Sequence, residues 1–440
     1  MAKIIPFRGV LYNQKKAGRL SGLVCPPYDI ITPQSQQALY RENEFNVVRL
    51  EFGLESPADT DTDNRYTRSA AILNDWLAKG ILQQDGEPSF YIYEMEYSAP
   101  LAKKLRGLVG LVRIEDYDSG VVRPHETTLS GPKTDRLNLL RACRATFSQI
   151  FALFSDPRGA VLDILNRAKG APSMEVRSND GVTHRIWTLT DKEAQDFISR
   201  ELSDKQLFIA DGHHRYDTAI NYRNERRNSS QSLSEEDGCN YTAMFLACME
   251  DPGLTILPAH RTLFNLQDFN PRAFENDLNR FFNIERIDFS DRSEPKDLRT
   301  VLDTMVHRAD HAHIFGMRVR GEHSYYLLTL RSEADMDVLL PDKSPAYRRL
   351  DVSILHHLII DKLLGVRMDT HKLGLNIEYL KEAEEADRSV HNGAAQIVFF
   401  MNPTKVQEVK NVAAAGERMP QKATYFYPKL LTGLVMHKIE

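Results

Sequence analysis

Cysteine, long apolar runs and a charge excess of either sign are all scarce in this 440-residue chain, and each shortage excludes a class of protein. The four cysteines show no CxxC spacing, which argues against a zinc cluster or a disulfide scaffold and fits a reducing compartment. No apolar run approaches the roughly 18 residues that a membrane helix needs. The first residues, with an apolar stretch interrupted by Pro6 and Arg8, do not match a signal peptide. We therefore expect a cytoplasmic protein without membrane segments.

The charge balance argues against a protein dedicated to nucleic acid. The chain has 56 Lys and Arg residues against 61 Asp and Glu residues, for a net charge of −5. Proteins that bind duplexes usually carry a basic excess, because neutralising phosphates supplies much of their affinity. The apolar fraction of 42% and charged fraction of 27% are typical of a globular chain.

Alternating strand and helix patterns predict an α/β fold, or a mixed α+β one. The segments PSFYIYEMEYS and RGLVGLVRIEDY are rich in β-branched and aromatic residues, whereas TRSAAILNDWLAKGIL has helical spacing. We predict three parts, which are an N-terminal α/β part contributing to the core, a core that contains the RPHETT and DGHHR segments, and a C-terminal α/β domain. Their expected ranges are residues 1–105, 106–228 and 240–440.

The segment IADGHHRY, residues 209–216, carries the densest chemistry in the chain. Its apolar half predicts a strand, Asp-Gly predicts a turn, and the following residues predict the first turn of a helix. Free backbone N–H groups, a guanidinium and two imidazoles would then meet in a small space that suits phosphate. An aspartate there could hold a Mg²⁺ ion that bridges phosphate oxygens. The candidate residues are Asp211, Gly212, His213, His214 and Arg215.

A second charged segment, RPHETTLSGPKTDR, precedes a predicted helix that begins near Thr134. Lys and Arg near a helix start are unfavourably placed against the helix dipole, which mildly favours a bound anion. A solvated charged loop is the alternative interpretation. The candidate residues here are Arg123, Glu126, Lys133 and Arg136.

Two further segments have weaker signals. Asp29, in CPPYDII, follows a rigid Pro-Pro turn and is a second candidate base or metal ligand. Residues 419–435 could fold back as a lid, with Lys429 reaching a phosphate or a carboxylate, or they could pack their aromatic side chains on the core.

Other histidines invite a metal interpretation that the pattern does not support. A strand predicted at HAHIF would place His311 and His313 on one face, but no carboxylate completes a known ligand set. The pair His371 and Lys372 forms a polar turn to which we assign no role.

The DGHHR motif resembles the phosphate-binding motif of the ParB/sulfiredoxin-like superfamily. Sulfiredoxins carry a catalytic cysteine where this chain has His213 or His214, so their reaction is excluded. Four segments in order, CPPYDII, RPHETTLSGPKTDRLNLLRA, IADGHHRY and MPQKATYFYPKLLTGLV, together resemble the family known as domain of unknown function 1015. This resemblance covers nearly the whole chain. It implies a ParB/sulfiredoxin-like core elaborated by large family-specific N- and C-terminal parts.

A more distant similarity to the free-serine kinases implies phosphoryl transfer between a nucleotide and serine or phosphoserine. ADP or ATP with Mg²⁺ would be the cofactors, and transfer toward serine would belong to serine biosynthesis. The shared PHE gives Glu126 the role of general base. Residues 211–215 would hold the phosphates and the metal, and Arg123, Lys133 or Arg136 would bind the serine carboxylate.

Three alternatives stay open at this point. The first is a phosphoserine phosphatase that needs no nucleotide. The second is a CTP-binding protein that acts on DNA or a partner, as ParB proteins do, although the acidic composition argues against it. The third is a structural protein without activity.

Overall fold

The computed structural model describes residues 1–99, 101–128, 130–167, 170–229, 234–290, 294–367 and 376–439. The chain divides into two compact units. The first unit contains residues 1–124, 128–255 and 428–440, and the second contains residues 125–127 and 256–427. The chain therefore enters the second unit twice and returns to the first at its C-terminal end.

A mixed sheet forms the centre of the first unit. Within the described residues it has nine strands in the order β6-β11-β8-β12-β5-β4-β10-β9, with β1 paired to β5. The β6–β11 and β8–β12 pairs are parallel and the other pairs are antiparallel. The strands are β1 (Ile4–Ile5), β4 (Phe90–Tyr97), β5 (Lys103–Arg113), β6 (Val122–Arg123), β8 (Ile150–Phe154), β9 (Met174–Arg177), β10 (Thr183–Leu189), β11 (Leu207–Asp211) and β12 (Tyr241–Cys248). Two small pairs complete the unit, β2 (Val10–Tyr12) with β3 (Leu82–Gln84) and β7 (Ala145–Thr146) with β21 (His437–Lys438).

Helices flank this sheet and begin at recognisable caps. Asn64 caps α4 through a capping box, and Asp191 accepts from Ala194 N at the start of α7. The helices of the first unit are α1 (Gln14–Ala17), α2 (Pro33–Glu42), α3 (Val48–Glu51), α4 (Arg65–Ala78), α5 (Ser130–Cys143), α6 (Ala160–Asn166), α7 (Lys192–Leu202) and α8 (His213–Ser229).

The core of the first unit explains why β11 and β8 read as continuous apolar runs. Leu207, Ile209, Ile150 and Ala152 are all buried in one hydrophobic cluster with Tyr216 of α8. A strand covered on both faces favours uninterrupted apolar sequence. The last residue of β11, Asp211, is thereby carried to the edge of this core.

The second unit is built on an antiparallel six-stranded sheet in the order β15-β17-β16-β19-β14-β18, counted within the described residues. The strands of this unit are β13 (Thr255–Leu257), β14 (His260–Leu263), β15 (Phe282–Asp288), β16 (Ile314–Val319), β17 (Ser324–Leu330), β18 (Ile377–Leu380), β19 (Ile397–Phe400) and β20 (Tyr425–Tyr427). The helices are α9 (Pro271–Leu278), α10 (Glu294–Arg308), α11 (Ala334–Leu339), α12 (Pro345–Arg348), α13 (Asp351–Ser353), a π-helix (Ile354–Leu363), α14 (Ala383–His391) and α15 (Val406–Ala414).

The mixed helix and strand content confirms the predicted α/β class. The division into parts 1–105, 106–228 and 240–440 stays a prediction, and strands from the first two ranges share one sheet. The ParB/sulfiredoxin-like identity of the core also stays a prediction. Among the described residues, no helix combines the length and apolar character needed to cross a bilayer.

Two local predictions differ from the structure. Helix α5 begins at Ser130 rather than near Thr134, because Pro132 is well tolerated in a first helical turn. The predicted strand over His311 and His313 is wrong, since β16 begins at Ile314. The N–H groups of His311 and Ala312 instead donate to the Arg308 carbonyl and close the end of α10.

Candidate functional site

The predicted strand–turn–helix lies at the end of β11 and the start of α8. The register between β11 and β8 shifts between Ile209 and Asp211, so an irregularity of the β-bulge kind immediately precedes the end of the strand. Gly212 has a φ of +91°, a left-handed conformation that glycine adopts without strain. Helix α8 then begins at His213, which is buried, so the first turn of the helix follows Gly212 directly.

Two cations hold the carboxylate of Asp211. Lys429 Nζ lies 2.9 Å from Oδ1, and Arg215 Nη2 lies 2.9 Å from Oδ2. These three side chains are between 11% and 19% exposed, so the ion pairs are largely shielded from water. Arg215 Nη1 also donates to the Gln149 carbonyl at 2.5 Å. The cluster carries two positive charges and one negative charge beside a helix N-terminus.

The surrounding charges keep Asp211 ionised. Burial by itself would raise the pKa of Asp211, but the Lys429 ammonium and the Arg215 guanidinium outweigh burial and hold that pKa well below its usual range. A carboxylate that is charged throughout the physiological range can neutralise one of the two cations. The three side chains together therefore carry one net positive charge.

A second ion network lies in the same unit and involves Arg136. The Arg136 side chain is 6% exposed, and its guanidinium contacts Glu51 at 3.2 Å and Asp135 at 2.5 Å. Its face packs on the Tyr28 ring, 4.1 Å from the ring centroid. Arg136 is therefore paired with two carboxylates of its own unit, and its predicted role as the cation for a substrate carboxylate stays a prediction.

Asp217, in the first turns of α8, connects that helix to α5 and to the segment that precedes it. Thr128 Oγ1 donates to Asp217 Oδ2 at 2.6 Å, and Lys133 Nζ lies 3.6 Å from the same oxygen. Lys133 is 31% exposed. Arg123, the other candidate cation, donates from Nε to the Gly120 carbonyl at 3.1 Å.

Glu126 belongs to the second unit, with His125 and Thr127. It forms a parallel bridge with Met419, whose N–H donates to the His125 carbonyl at 2.6 Å. His125 is fully buried, and its Nε2 lies 2.9 Å from Thr424 Oγ1. The segment around Met419 therefore fixes the backbone on which half-buried Glu126 stands.

No motif in the sequence points to Arg261, a buried cation of the second unit near Glu126. Arg261 is 1% exposed, pairs across strands with Tyr379, and donates from Nη2 to the Lys422 carbonyl at 3.0 Å. Burial lowers the pKa of Arg261 to about 10, whereas the charges of Tyr379 and Glu126 act to raise it. Arg261 lies in β14, whose sequence His-Arg-Thr-Leu has one apolar residue. The sequence of this strand therefore does not predict that the Arg261 side chain is buried.

The remaining candidates lie away from these clusters or outside the described residues. Asp29 is exposed, and Tyr28 is the residue of its turn that reaches the Arg136 network. His313 pairs with Asp351 at 2.7 Å. His371 and Lys372 lie outside the described residues.

Mg²⁺ does not fit the Asp211 cluster as its side chains stand. Both carboxylate oxygens of Asp211 already accept from cations. Among the described residues, no group of three or more His, Cys, Asp or Glu side chains is arranged to hold a metal. Nucleotide sites hold Mg²⁺ with one or two carboxylates plus phosphates, so Lys429 would have to leave Asp211 first. The donor set favours an oxyanion over a cation.

Comparison of the structure with solved structures finds distant likenesses. A free serine kinase variant in complex with ADP aligns with 11% identity and a TM-score of 0.34, covering 75% of this chain and 90% of that one. SbnI with a C-terminal truncation, from Staphylococcus aureus, aligns with 12% identity and a TM-score of 0.36, covering 74% and 85%. A conserved hypothetical protein from Pyrococcus furiosus aligns with 11% identity and a TM-score of 0.30, covering 70% and 87%. Values this low support no inference about activity.

Sequence comparison is more decisive about the family. No curated protein matches the chain. The family model described as protein of unknown function DUF1015 matches residues 4–353, well over half of the 440 residues. The four segments that resembled this family are thus accompanied by a match over most of the chain, and the protein belongs to the DUF1015 family.

Proposed function

We propose that this protein transfers a phosphoryl group between a nucleotide and serine or phosphoserine. The observation that carries the proposal is the convergence of Lys429 and Arg215 on the turn at Gly212, directly before the 17-residue helix α8. Two cations and one carboxylate at the start of a helix make a site for a phosphate.

Phosphoryl transfer suits this arrangement, because it depends mainly on alignment and on neutralising the charge of the transferred group. Arg215 is held by Asp211 and by the Gln149 carbonyl, so its guanidinium is oriented before a ligand arrives. Such preorganisation favours the transition state, since the guanidinium is already in place when the reaction begins.

Glu126 is the proposed base. As the serine hydroxyl oxygen forms a bond to the phosphorus, Glu126 takes the hydroxyl proton, and the bond from phosphorus to the departing nucleotide oxygen breaks. In the reverse direction the protonated Glu126 returns that proton to the serine oxygen. The PHE segment, which resembles the free-serine kinases, supports this role for Glu126 and the choice of serine as substrate. Mg²⁺ and the direction of transfer stay predictions.

The test is a transfer assay on the full chain with Mg²⁺, offering phosphoserine with and without ADP, and serine with ATP. We expect nucleotide-dependent transfer by the wild type and a loss of about 10²–10⁴-fold in kcat for Glu126→Gln, the usual contribution of a general base. Glu87→Gln, the same change at an exposed site, should leave the rate unchanged. Thermal melting would establish that both variants fold.

The other outcomes assign different functions. Phosphate release from phosphoserine that does not depend on nucleotide would make the protein a phosphatase. No turnover in any mixture would reject serine as the substrate. Salt-sensitive binding to duplex DNA with added CTP would then favour the ParB-like alternative. Full activity in Glu126→Gln would reject Glu126 as the base while keeping the transfer reaction.

A further inference from the structure

The ion pairs of Asp211 occupy the cations on which a phosphate would depend. Asp211 contributes one oxygen to Lys429 and the other to Arg215, each at 2.9 Å. The two oxygens of the Asp211 carboxylate accept from the same N–H groups that would donate to the oxygens of a bound oxyanion. We propose that Asp211 is an internal competitor that a phosphoryl group displaces, and that Lys429 is a ligand of that phosphoryl group. This inference rests on the proposed function for the identity of the ligand.

Arg215 has unused capacity at the position where the ligand would bind. Its Nε is buried and has no hydrogen-bond partner among the described residues, whereas Nη2 donates to Asp211. A phosphate with three oxygens can accept from Nε and Nη2 together, and this bidentate arrangement is stronger than a single contact. An unsatisfied buried N–H is unfavourable, so a ligand that accepts from it gains affinity.

Gly212 lets the Arg215 guanidinium pack against the turn. A Cβ atom on Gly212 would lie 2.9 Å from Arg215 Nε and 3.0 Å from both Cζ and Nη2. These nearly equal distances place the Cβ position over the face of the guanidinium, whereas its N–H groups lie in its plane. A side chain at residue 212 would therefore push the guanidinium out of the position from which it contacts Asp211.

Lys429 can change partners without movement of its backbone. The two hydrogen bonds that follow Lys429 hold the backbone in place. Leu431 N donates to Tyr93 Oη at 3.2 Å, and Thr432 N donates to the Cys25 carbonyl at 2.9 Å. The backbone next to Lys429 is thus fixed in the first unit. The ammonium is carried on a four-carbon side chain with several rotatable bonds, so it can change partner while the backbone stays in place.

Charge decides the competition between the two anions. A phosphate monoester carries about −1.5 to −2 charges at pH 7, whereas Asp211 carries one. The phosphate therefore attracts Lys429 and Arg215 more strongly than the carboxylate does. Because Asp211 opposes binding, its removal should strengthen the binding of phosphate.

The test measures the affinity of the full chain for inorganic phosphate by calorimetry, without nucleotide or metal. We expect Asp211→Asn to bind phosphate about ten- to hundredfold more tightly than the wild type, and Lys429→Met to bind it more weakly by a similar factor. Lys429→Arg should keep most of the affinity. Asp75→Asn is the matched control, because Asp75 pairs with Lys79 at 2.8 Å on the surface, and it should not change phosphate binding.

Weaker or unchanged binding by Asp211→Asn would overturn the competitor role, and unchanged binding by Lys429→Met would overturn the ligand role. If Asp211→Asn does not fold, the Lys429→Met and Lys429→Arg pair still decides the second role. Tighter phosphate binding by Asp211→Asn without any transfer in the serine assay would sustain this inference and reject the proposed function. If the wild type transfers phosphate to or from serine but Asp211→Asn binds phosphate more weakly, the proposed function is kept and this inference is rejected.

Discussion

Single side chains at the turn after β11 set the geometry of the candidate site. Gly212 has a φ of +91° and leaves Arg215 next to its Cα, and Asp211 connects Arg215 to Lys429. A residue with a Cβ would meet two obstacles at Gly212, the left-handed backbone and the guanidinium. The site therefore depends on a glycine for two separate physical reasons.

Replacement of Gly212 by alanine separates those two reasons. We expect Gly212→Ala to lower the free energy of unfolding by about 1–3 kcal/mol and to weaken phosphate binding, because the guanidinium must move. Gly18→Ala is the matched control, since Gly18 has a φ of +96° with no atom near its Cβ position. It should show the backbone strain alone. If both variants lose the same free energy of unfolding and Gly212→Ala binds phosphate as tightly as the wild type, Gly212 has no role in shaping the site.

At the scale of elements, residues 428–439 are the most consequential segment, and we call them the C-terminal strap. The strap packs in the first unit, where Val10 and Met436 exchange both backbone hydrogen bonds and Gly433 N donates to the Phe147 carbonyl at 3.0 Å. It lies beyond residue 353, where the family match ends. It nevertheless supplies Lys429 to the cluster at Asp211. The strap is thus both a core element and a part of the candidate site.

The contribution of the strap to stability can be measured at Leu434, which is 1% exposed. We expect Leu434→Ala to destabilise the first unit by about 2–5 kcal/mol, through lost burial and the cavity left behind. Trp76 and Trp187 both lie in the first unit, and they are the two tryptophans of the chain, so their fluorescence during denaturant unfolding reports on that unit. Lys438→Ala should change the unfolding free energy by less than about 0.5 kcal/mol. If Leu434→Ala lowers the free energy of unfolding by no more than Lys438→Ala does, the strap is not part of the core.

At the scale of the whole molecule, the two units respond differently to pH. In the first unit, the pKa of Asp211 is lower in the folded state than in the unfolded state. Asp211 therefore contributes stability at pH values above its unfolded-state pKa, and this contribution is lost as the pH falls toward its folded-state pKa. In the second unit, burial alone would lower the pKa of His313, but Asp351 and Glu333 raise it overall. His313 then contributes stability below its unfolded pKa of about 6.5, and this contribution is lost as the pH rises through the folded value.

This difference predicts a pH-dependent transition that tryptophan fluorescence does not detect. Far-UV circular dichroism should show the melting temperature of the second unit falling by a few degrees as the pH rises from 6 to 9. His313→Gln should lower that melting temperature at pH 6 and reduce its dependence on pH. A slope that is unchanged in His313→Gln would assign the pH dependence to other groups, such as Glu408, whose pKa burial raises.

The sequence by itself determined the local structure around the motif and the family. The apolar run of β11, the Asp-Gly turn and the start of α8 follow from nearest-neighbour rules, because strand burial, left-handed glycine and helix caps act over a few residues. Only the tertiary structure decided which distant residues join them. Lys429 is 218 positions from Asp211 along the chain, and Arg136 turns inward to Glu51 rather than outward. Such pairings depend on how whole elements pack, and no spacing within a segment encodes them.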